Sequence, residues 1–156
     1  MPNEVLEQRL DLDRFLPYRL SVLSNRVSDA IAAHYSERFG LTIAEWRVMA
    51  VLGGAPGLSA REVAVRTAMD KVQVSRAVAS LVEARRVTRQ DDANDGRITR
   101  LSLSAKGKAI YDEIVPLALH LEAVLLAALT KDERKTLSEL MDKLAGRIGS
   151  LSASAT

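Results

Sequence analysis

Residues 86–107 read RVTRQDDANDGRITRLSLSAKG. Both ends of this stretch alternate and its middle does not. Val87-Thr88-Arg89-Gln90 and Ile98-Thr99-Arg100-Leu101-Ser102-Leu103 have strand character, with Thr99, Leu101 and Leu103 on one face and Arg100 and Ser102 on the other. Between them, Asp91-Asp92-Ala93-Asn94-Asp95-Gly96 is dense in residues that favour turns. The stretch predicts a β-hairpin with a long polar loop. Every other periodic segment of the chain is helical, so the hairpin's position among the helices sets the architecture.

Upstream, the helix starts are written as caps. Thr42–Glu45, Ser59–Glu62 and Thr130–Glu133 follow the Ser/Thr-x-x-Glu pattern, in which the hydroxyl accepts from a free amide and the carboxylate reaches back. Asp70–Gln73 is a weaker version. Helices are expected to begin near 43, 60, 71 and 131. Gly53-Gly54-Ala55-Pro56-Gly57 reads as a loop. Before it, Leu16, Leu20, Leu23, Val27 and Ile31 recur at helical spacing from Pro17 to Phe39, and Gly40 supplies a stop. After the hairpin, Ile110, Ile114, Leu117, Leu121, Val124 and Ala128 form a stripe, and Pro116 is expected to kink that helix. A last helix carries Leu137, Leu140, Met141, Leu144 and Ile148, and the tail from Ser152 is expected to fray. The fold class is mainly α with one small β-hairpin. The order is long helix, three shorter helices, hairpin, long helix, helix. A hairpin directly after a pair of short helices is the pattern of a winged helix-turn-helix.

The third and fourth helices, joined by Ala68-Met69-Asp70, form the helix-turn-helix pair. Ala64 puts a small residue where the two helices must cross. Val74, Val78, Leu81 and Val82 give the fourth helix a buried side, and Lys71, Gln73, Ser75 and Arg76 lie opposite, near its N-terminus. A recognition helix reads base edges with that part. Gln suits adenine, and Arg or Lys suits guanine. Ser59 and Arg61, at the start of the third helix, suit phosphates. A second reading fits the same helix, a solvated polar face with no ligand. The hairpin separates the two. Arg97 follows the turn, and Asp95 can hold its guanidinium by paired hydrogen bonds. An arginine so held can enter a minor groove, where negative potential is focused. The plain alternative makes Asp95 a turn residue and Arg97 an exposed strand charge.

Composition agrees with a DNA ligand and excludes several other classes. The 156 residues carry a net charge of only +2, but Ser59 to Arg100 holds nine Arg/Lys and six Asp/Glu, so the middle of the chain is its basic part. Aromatic residues are 4%, too few for a base-stacking platform. Without cysteine there is no disulfide, thiolate metal site or thiol switch. The only histidines, His34 and His120, are far apart in sequence, and no cofactor or metal is expected. No phosphate loop, nucleotide-binding glycine motif or nucleophile elbow occurs, so an enzyme is not expected. The opening MPNEVLEQRLDLD is polar and acidic, unlike a secretory leader, and a cytoplasmic location is expected.

The stretch 86–107 resembles the wing signature of the MarR family of regulators, Asp-x-x-Asp-x-Arg followed by Leu-Ser/Thr and Lys-Gly. Here Asp92, Asp95 and Arg97, then Leu103-Ser104, then Lys106-Gly107, match it. LTIAEWRVMAVL (41–52) is similar to the family's second helix, and DKVQVSRAVASLVEAR (70–85) to its recognition helix. The resemblance spans about 15–150. The chain departs from it at Arg86-Val87, where the family often has Gly-Leu/Tyr, and at Val72-Gln73-Val74-Ser75, where it often has Ser/Thr-x-Val-Thr. The second departure bears on operator sequence.

The resemblance implies a transcription regulator, usually a repressor, that binds a pseudo-palindromic duplex operator as a homodimer. It divides the chain into an N-terminal dimerisation region (1–40), a DNA-binding domain (41–104) and C-terminal dimerisation helices (105–156). The apolar Leu6, Leu10 and Leu12, and the stripe of the last helix, independently call for a partner, either a second copy or an intramolecular cap. The resemblance also implies a small-molecule pocket beside the first helix. Ser21, Ser24, Asn25 and Ser28 make a small polar seam there, Arg19 lies one turn before it, and Trp46 begins the facing helix. Arg19, Ser24, Ser28 and Trp46 would suit an aromatic carboxylate or its CoA thioester. Equally, small residues let helices approach closely, with Arg19 at the surface. The competing functional readings are a nonspecific or architectural DNA binder and a helical interaction module without an effector.

Overall fold

The computed structural model describes residues 9–154. Leu6, named above, lies outside the described residues. Helix α1 spans Leu16–Phe39, α2 Ile43–Gly54, α3 Ala60–Thr67 and α4 Lys71–Glu83. Strands β1 (Val87–Asp91) and β2 (Thr99–Leu103) follow, then α5 (Ala105–Leu126) and α6 (Lys131–Ser154). The chain divides into two compact units, Met1–Ile114 and Val115–Thr156.

The four capped helices begin where their caps place them, because the cap is a local device. At α3 the box is complete. Glu62 N donates to Ser59 Oγ (3.2 Å) and Ser59 N donates to Glu62 Oε2 (2.7 Å). Thr130 and Glu133 close the same reciprocal pair. At Thr42 only half forms: Glu45 N donates to Thr42 Oγ1, while the Glu45 carboxylate accepts from Ser80 of α4 instead. A tertiary partner displaces the local one. Ser59→Ala is expected to cost about 1 kcal/mol and to lower the melting temperature by about 2–4 °C, as scanning calorimetry would record.

The core lies inside unit 1. The C-terminal part of α1 contributes Ala32 and Tyr35, α2 contributes Val48, Met49 and Leu52, and α4 contributes Val74, Ala77, Val78 and Leu81. Val63 of α3, Val87 of β1, Leu101 of β2, Ile110 and Ile114 of α5 and the loop residues Leu41, Leu58 and Met69 complete it. The hairpin is antiparallel, with Val87 opposite Leu103, Arg89 opposite Leu101 and Asp91 opposite Thr99. Leu58 bridges to Leu101 as a third rung. Gly57 N donates to Leu101 O and Leu101 N to Leu58 O, both at 2.8 Å. Gly57 sits at φ +83, a conformation natural only to glycine. This rung fixes the base of the hairpin to the entry of α3.

Three features differ from what the pattern suggests. The stripe of α1 is not one buried face: Leu16, Leu20 and Leu23 are exposed, Val27 and Ile31 half-buried, and only Ala32 and Tyr35 are covered. The tail does not fray at Ser152, because α6 continues to Ser154, whose Oγ donates to Ser150 O. The α5 stripe also stops short of Ala128, since the helix ends at Leu126. The helix runs on through Pro116.

Taken alone, α6 has no buried residue. Leu137, Leu140, Met141, Leu144, Ile148 and Leu151 are between 42% and 68% exposed, at spacings of three and four. Among the described residues, no single helix is long and apolar enough to cross a membrane.

Candidate nucleic-acid interface

The turn between α3 and α4 is set by one left-handed residue and one plug. Ala68 takes φ 53, and Met69 is buried beneath it. Asp70 then caps α4, accepting from Gln73 N at 2.8 Å. With Val74, Ala77, Val78 and Leu81 facing inward, helical geometry turns Lys71, Gln73, Ser75 and Arg76 outward, and all four are exposed. Arg61 is exposed on α3. Ser59 is half-buried; its oxygen accepts within the capping box, and its hydroxyl proton stays free to donate to a phosphate.

The exit from α4 is a Schellman-type closure. Arg86 N donates to Leu81 O and Arg85 N to Val82 O. The residue taking positive φ is Arg85, at 59°. That position normally suits glycine. It lies one residue before the Arg86-Val87 pair noted in the sequence. Arg86 then crosses to the end of α1, donating from Nη2 to Phe39 O, and its carbonyl packs so closely on Gly107 that no β-carbon would fit there.

At the ribbon's tip the expected pair is formed. Arg97 Nε donates to Asp95 Oδ1 (3.1 Å), Nη2 donates to Oδ2 (3.3 Å), and Arg97 N donates to Oδ1 (3.1 Å). These bonds hold the Asp95 carboxyl below the usual carboxylate range, the side-chain bonds contributing most. The Arg97 side chain is 91% exposed. It is an oriented cation aimed into solvent, and its carboxylate partner stays ionised at neutral pH.

Sequence reasoning missed a residue that tethers the ribbon to α3. Arg100 Nη2 donates to Asp92 Oδ2 (3.1 Å), while Nη1 donates to Glu62 Oε2 (3.2 Å) and Gly57 O (3.4 Å). One guanidinium therefore ties the wing loop, the α3 cap and the turn before it. The Asp92 and Glu62 carboxyls are both held low. For Asp92 the leading cause is the Asn94 amide and then Arg100; for Glu62 it is the Ser59 amide, with Arg100 a smaller contribution. The only signal in the sequence was position, since Arg100 sits on the polar face of β2. Arg89 also faces the hollow between α4 and the hairpin, beside Ser75 and Thr99. Among the described residues Arg61, Lys71, Arg76 and Arg89 have no ion-pair partner, so all four remain available to phosphates or bases.

Of the four residues expected to hold an effector, Arg19 stands apart from the other three. Arg19 lines an open groove of about 540 Å³ with Tyr18, Leu23 and Arg26, and none of Ser24, Ser28 or Trp46 lines it. Nine residues of helix, about 13 Å, separate Arg19 from Ser28. Ser24 is exposed. Ser28 Oγ accepts from Arg47 Nη2 of α2 at 3.1 Å. Trp46 is half-buried between Tyr35 and Tyr111, with ring centroids 5.8 and 6.0 Å away. Burial raises the Tyr35 hydroxyl's pKa, partly offset by Arg47. Among the described residues no group of three metal-ligating side chains comes together.

Residues 39–98 match the model of the MarR family. Over 131 residues the chain is 28% identical to an HTH-type transcriptional repressor of Mycobacterium bovis, Mb2911, covering 83% of this chain and 91% of that one. Among solved structures, it is similar to a MarR/EmrR family transcriptional regulator from Acinetobacter sp. ADP1, with a TM-score of 0.83 and 26% identity over 90% of this chain and 99% of that one. It shares its fold with Bordetella bronchiseptica BpsR, whose DNA binding is regulated by 6-hydroxynicotinic acid; there the TM-score is 0.77 and the identity 21%, over 88% of this chain and 97% of that one.

Proposed function

We propose that this chain, a transcription regulator of the MarR family, is a repressor that binds a pseudo-palindromic duplex operator as a homodimer and releases it on binding a small aromatic acid. One observation carries the DNA reading. An arginine held by a bidentate carboxylate stands at the tip of a ribbon, next to a helix whose N-terminal outward face is Lys71, Gln73, Ser75 and Arg76. That combination supports α4 in the major groove and Arg97 in the adjacent minor groove. Ser59, Arg61 and the start of α3 contact phosphates. Residues 41–104 act as the reading head, and 1–40 and 105–156 supply dimerisation. A chromosomal operator as partner favours a cytoplasmic location.

The homodimer is supported by two apolar faces left exposed among the described residues, that of the N-terminal half of α1 and the Leu137–Leu151 stripe of α6. A two-fold axis sets two recognition helices one DNA turn apart. The effector reading rests on the neighbourhood of Ser28 and Trp46, with Ser24 one turn away. There Arg47, already bonded to Ser28, is a better placed cation for a carboxylate than Arg19. BpsR, which shares the fold, responds to a heteroaromatic acid, and that favours the same ligand class here. The effector acts by preferring one spacing of the two heads, so its differential affinity limits the response.

The test is fluorescence anisotropy with a duplex from the gene's own upstream region and a scrambled control, across a salt series, with and without aromatic acids and their CoA thioesters. The expected result is at least a thousand-fold preference for the upstream duplex, a steep salt slope and release by one class of acid. Equal affinity for both duplexes would indicate an architectural binder, and salt-independent or absent binding a protein-interaction module. In the same assay Arg100→Met is expected to weaken operator binding about five-fold, although Arg97 is untouched. Unchanged affinity would mean that the ribbon needs no tether.

A further inference from the structure

Val72 is an apolar residue on the face of α4 that lies away from its buried residues. It sits in the first turn of α4 and is 57% exposed. At 100° per residue it lies half a turn of helix away from Leu81, in the centre of the face opposite the core. Its neighbours along that face are Ser75, Arg76 and Ala79, all exposed. A β-branched residue there gains little packing and is a poorer helix former than the lysine before it or the glutamine after it. A single exposed valine is ordinary on a protein surface. This one stands between Lys71 and Gln73 in the part of a recognition helix that meets base edges, where solvent is displaced on binding.

Only one feature of the major groove is apolar, the C5-methyl of thymine. We propose that Val72 reads that methyl and so fixes one thymine in each operator half-site. This inference rests on the operator reading above and narrows it. Ser75 and Ala79 are short, so the helix can approach closely enough for the two valine methyls to cover the thymine methyl. Arg76, one turn further on, is the long polar reader of the same face. Polar side chains at position 72 would hydrogen-bond to several base edges, whereas valine offers only an apolar contact and discriminates by methyl burial.

The experiment takes the full-length dimer through selection from a random duplex pool, then replaces each thymine of the enriched half-site by deoxyuridine, which removes the methyl and leaves every hydrogen-bonding edge intact. For the wild-type chain one thymine is expected to matter, with affinity falling about four-fold when it is changed in one half-site and about fifteen-fold when both are changed. Val72→Ser is expected to bind the thymine and deoxyuridine duplexes equally at that position, while its responses elsewhere in the site match those of the wild type. Circular dichroism melting checks that this exposed substitution leaves the fold intact. The inference is overturned if no thymine shows a methyl effect, or if Val72→Ser keeps the effect. A pool that enriches no sequence would overturn the operator reading itself and this inference with it, a result distinct from enrichment without methyl sensitivity.

Discussion

Arg97→Ala is expected to lower operator affinity about 30- to 700-fold. About 1–2 kcal/mol, the lower part of the range for a specific arginine contact, is taken for each wing; the proposed homodimer would present two wings, and about 2–4 kcal/mol converts to that range. The loss should come with a shallower salt dependence, by about one in slope for each wing, because each lost guanidinium releases fewer counterions. The fold should be unaffected, since the Arg97 side chain is 91% exposed and, among the described residues, bonds only to its neighbour Asp95. Asp95→Asn separates orientation from charge. It keeps the cation, removes the charged half of the clamp, and is expected to cost only about three- to ten-fold. Anisotropy titrations at three salt concentrations check both variants. Equal affinity of Arg97→Ala and wild type would remove the wing from the interface.

Leu144→Asp is expected to convert the protein into a monomer at micromolar concentration. α6 is a 24-residue helix with no buried residue and six large apolar side chains in one stripe. Such a helix draws its stability from tertiary packing rather than from propensity. Leu144 stands in the middle of that stripe, and a carboxylate there would be buried unpaired twice, once from each copy. Sedimentation equilibrium should give a mass near the chain's own 17.0 kDa instead of twice that. Operator affinity should fall at least a hundred-fold, because a single head holds only a half-site. The thermal transition of unit 1 is expected to change little. A variant that stays dimeric would assign the stripe to an intramolecular cap.

How much of this could be read from the residues depended on the range of each interaction. The caps at Ser59, Asp70 and Thr130 are set within four residues, and their helices start where the sequence puts them. The Asp95–Arg97 clamp spans two residues and was equally visible. Interactions between distant segments were not. Arg100 finds Glu62 across 38 positions, and Arg86 finds the Phe39 carbonyl across 47. No local pattern signals either pair. The Glu45 carboxylate left its own cap for Ser80 for the same reason, a tertiary partner outcompeting a local one. The α1 stripe looked uniform because periodicity records which residues share a face but not what covers them. Half of it packs on the core and half stays open. The small polar seam on α1 carried the least information, since Ser24 and Ser28 are adjacent turns of one helix whose surroundings differ.

The geometry at issue is one helix in the wide groove and one arginine in the narrow groove beside it, repeated by a two-fold axis. Dimethyl sulfate tests it directly, because it methylates guanine N7 in the major groove and adenine N3 in the minor groove of the same duplex. With the dimer bound to its operator, N7 protection is expected in two patches about 10 base pairs apart, with N3 protection beside them. In Arg97→Ala at saturating concentration the N3 protection should vanish while the N7 patches persist. If N3 protection is absent in the wild type, or if the N7 pattern disappears along with it in the variant, this mode of binding is wrong.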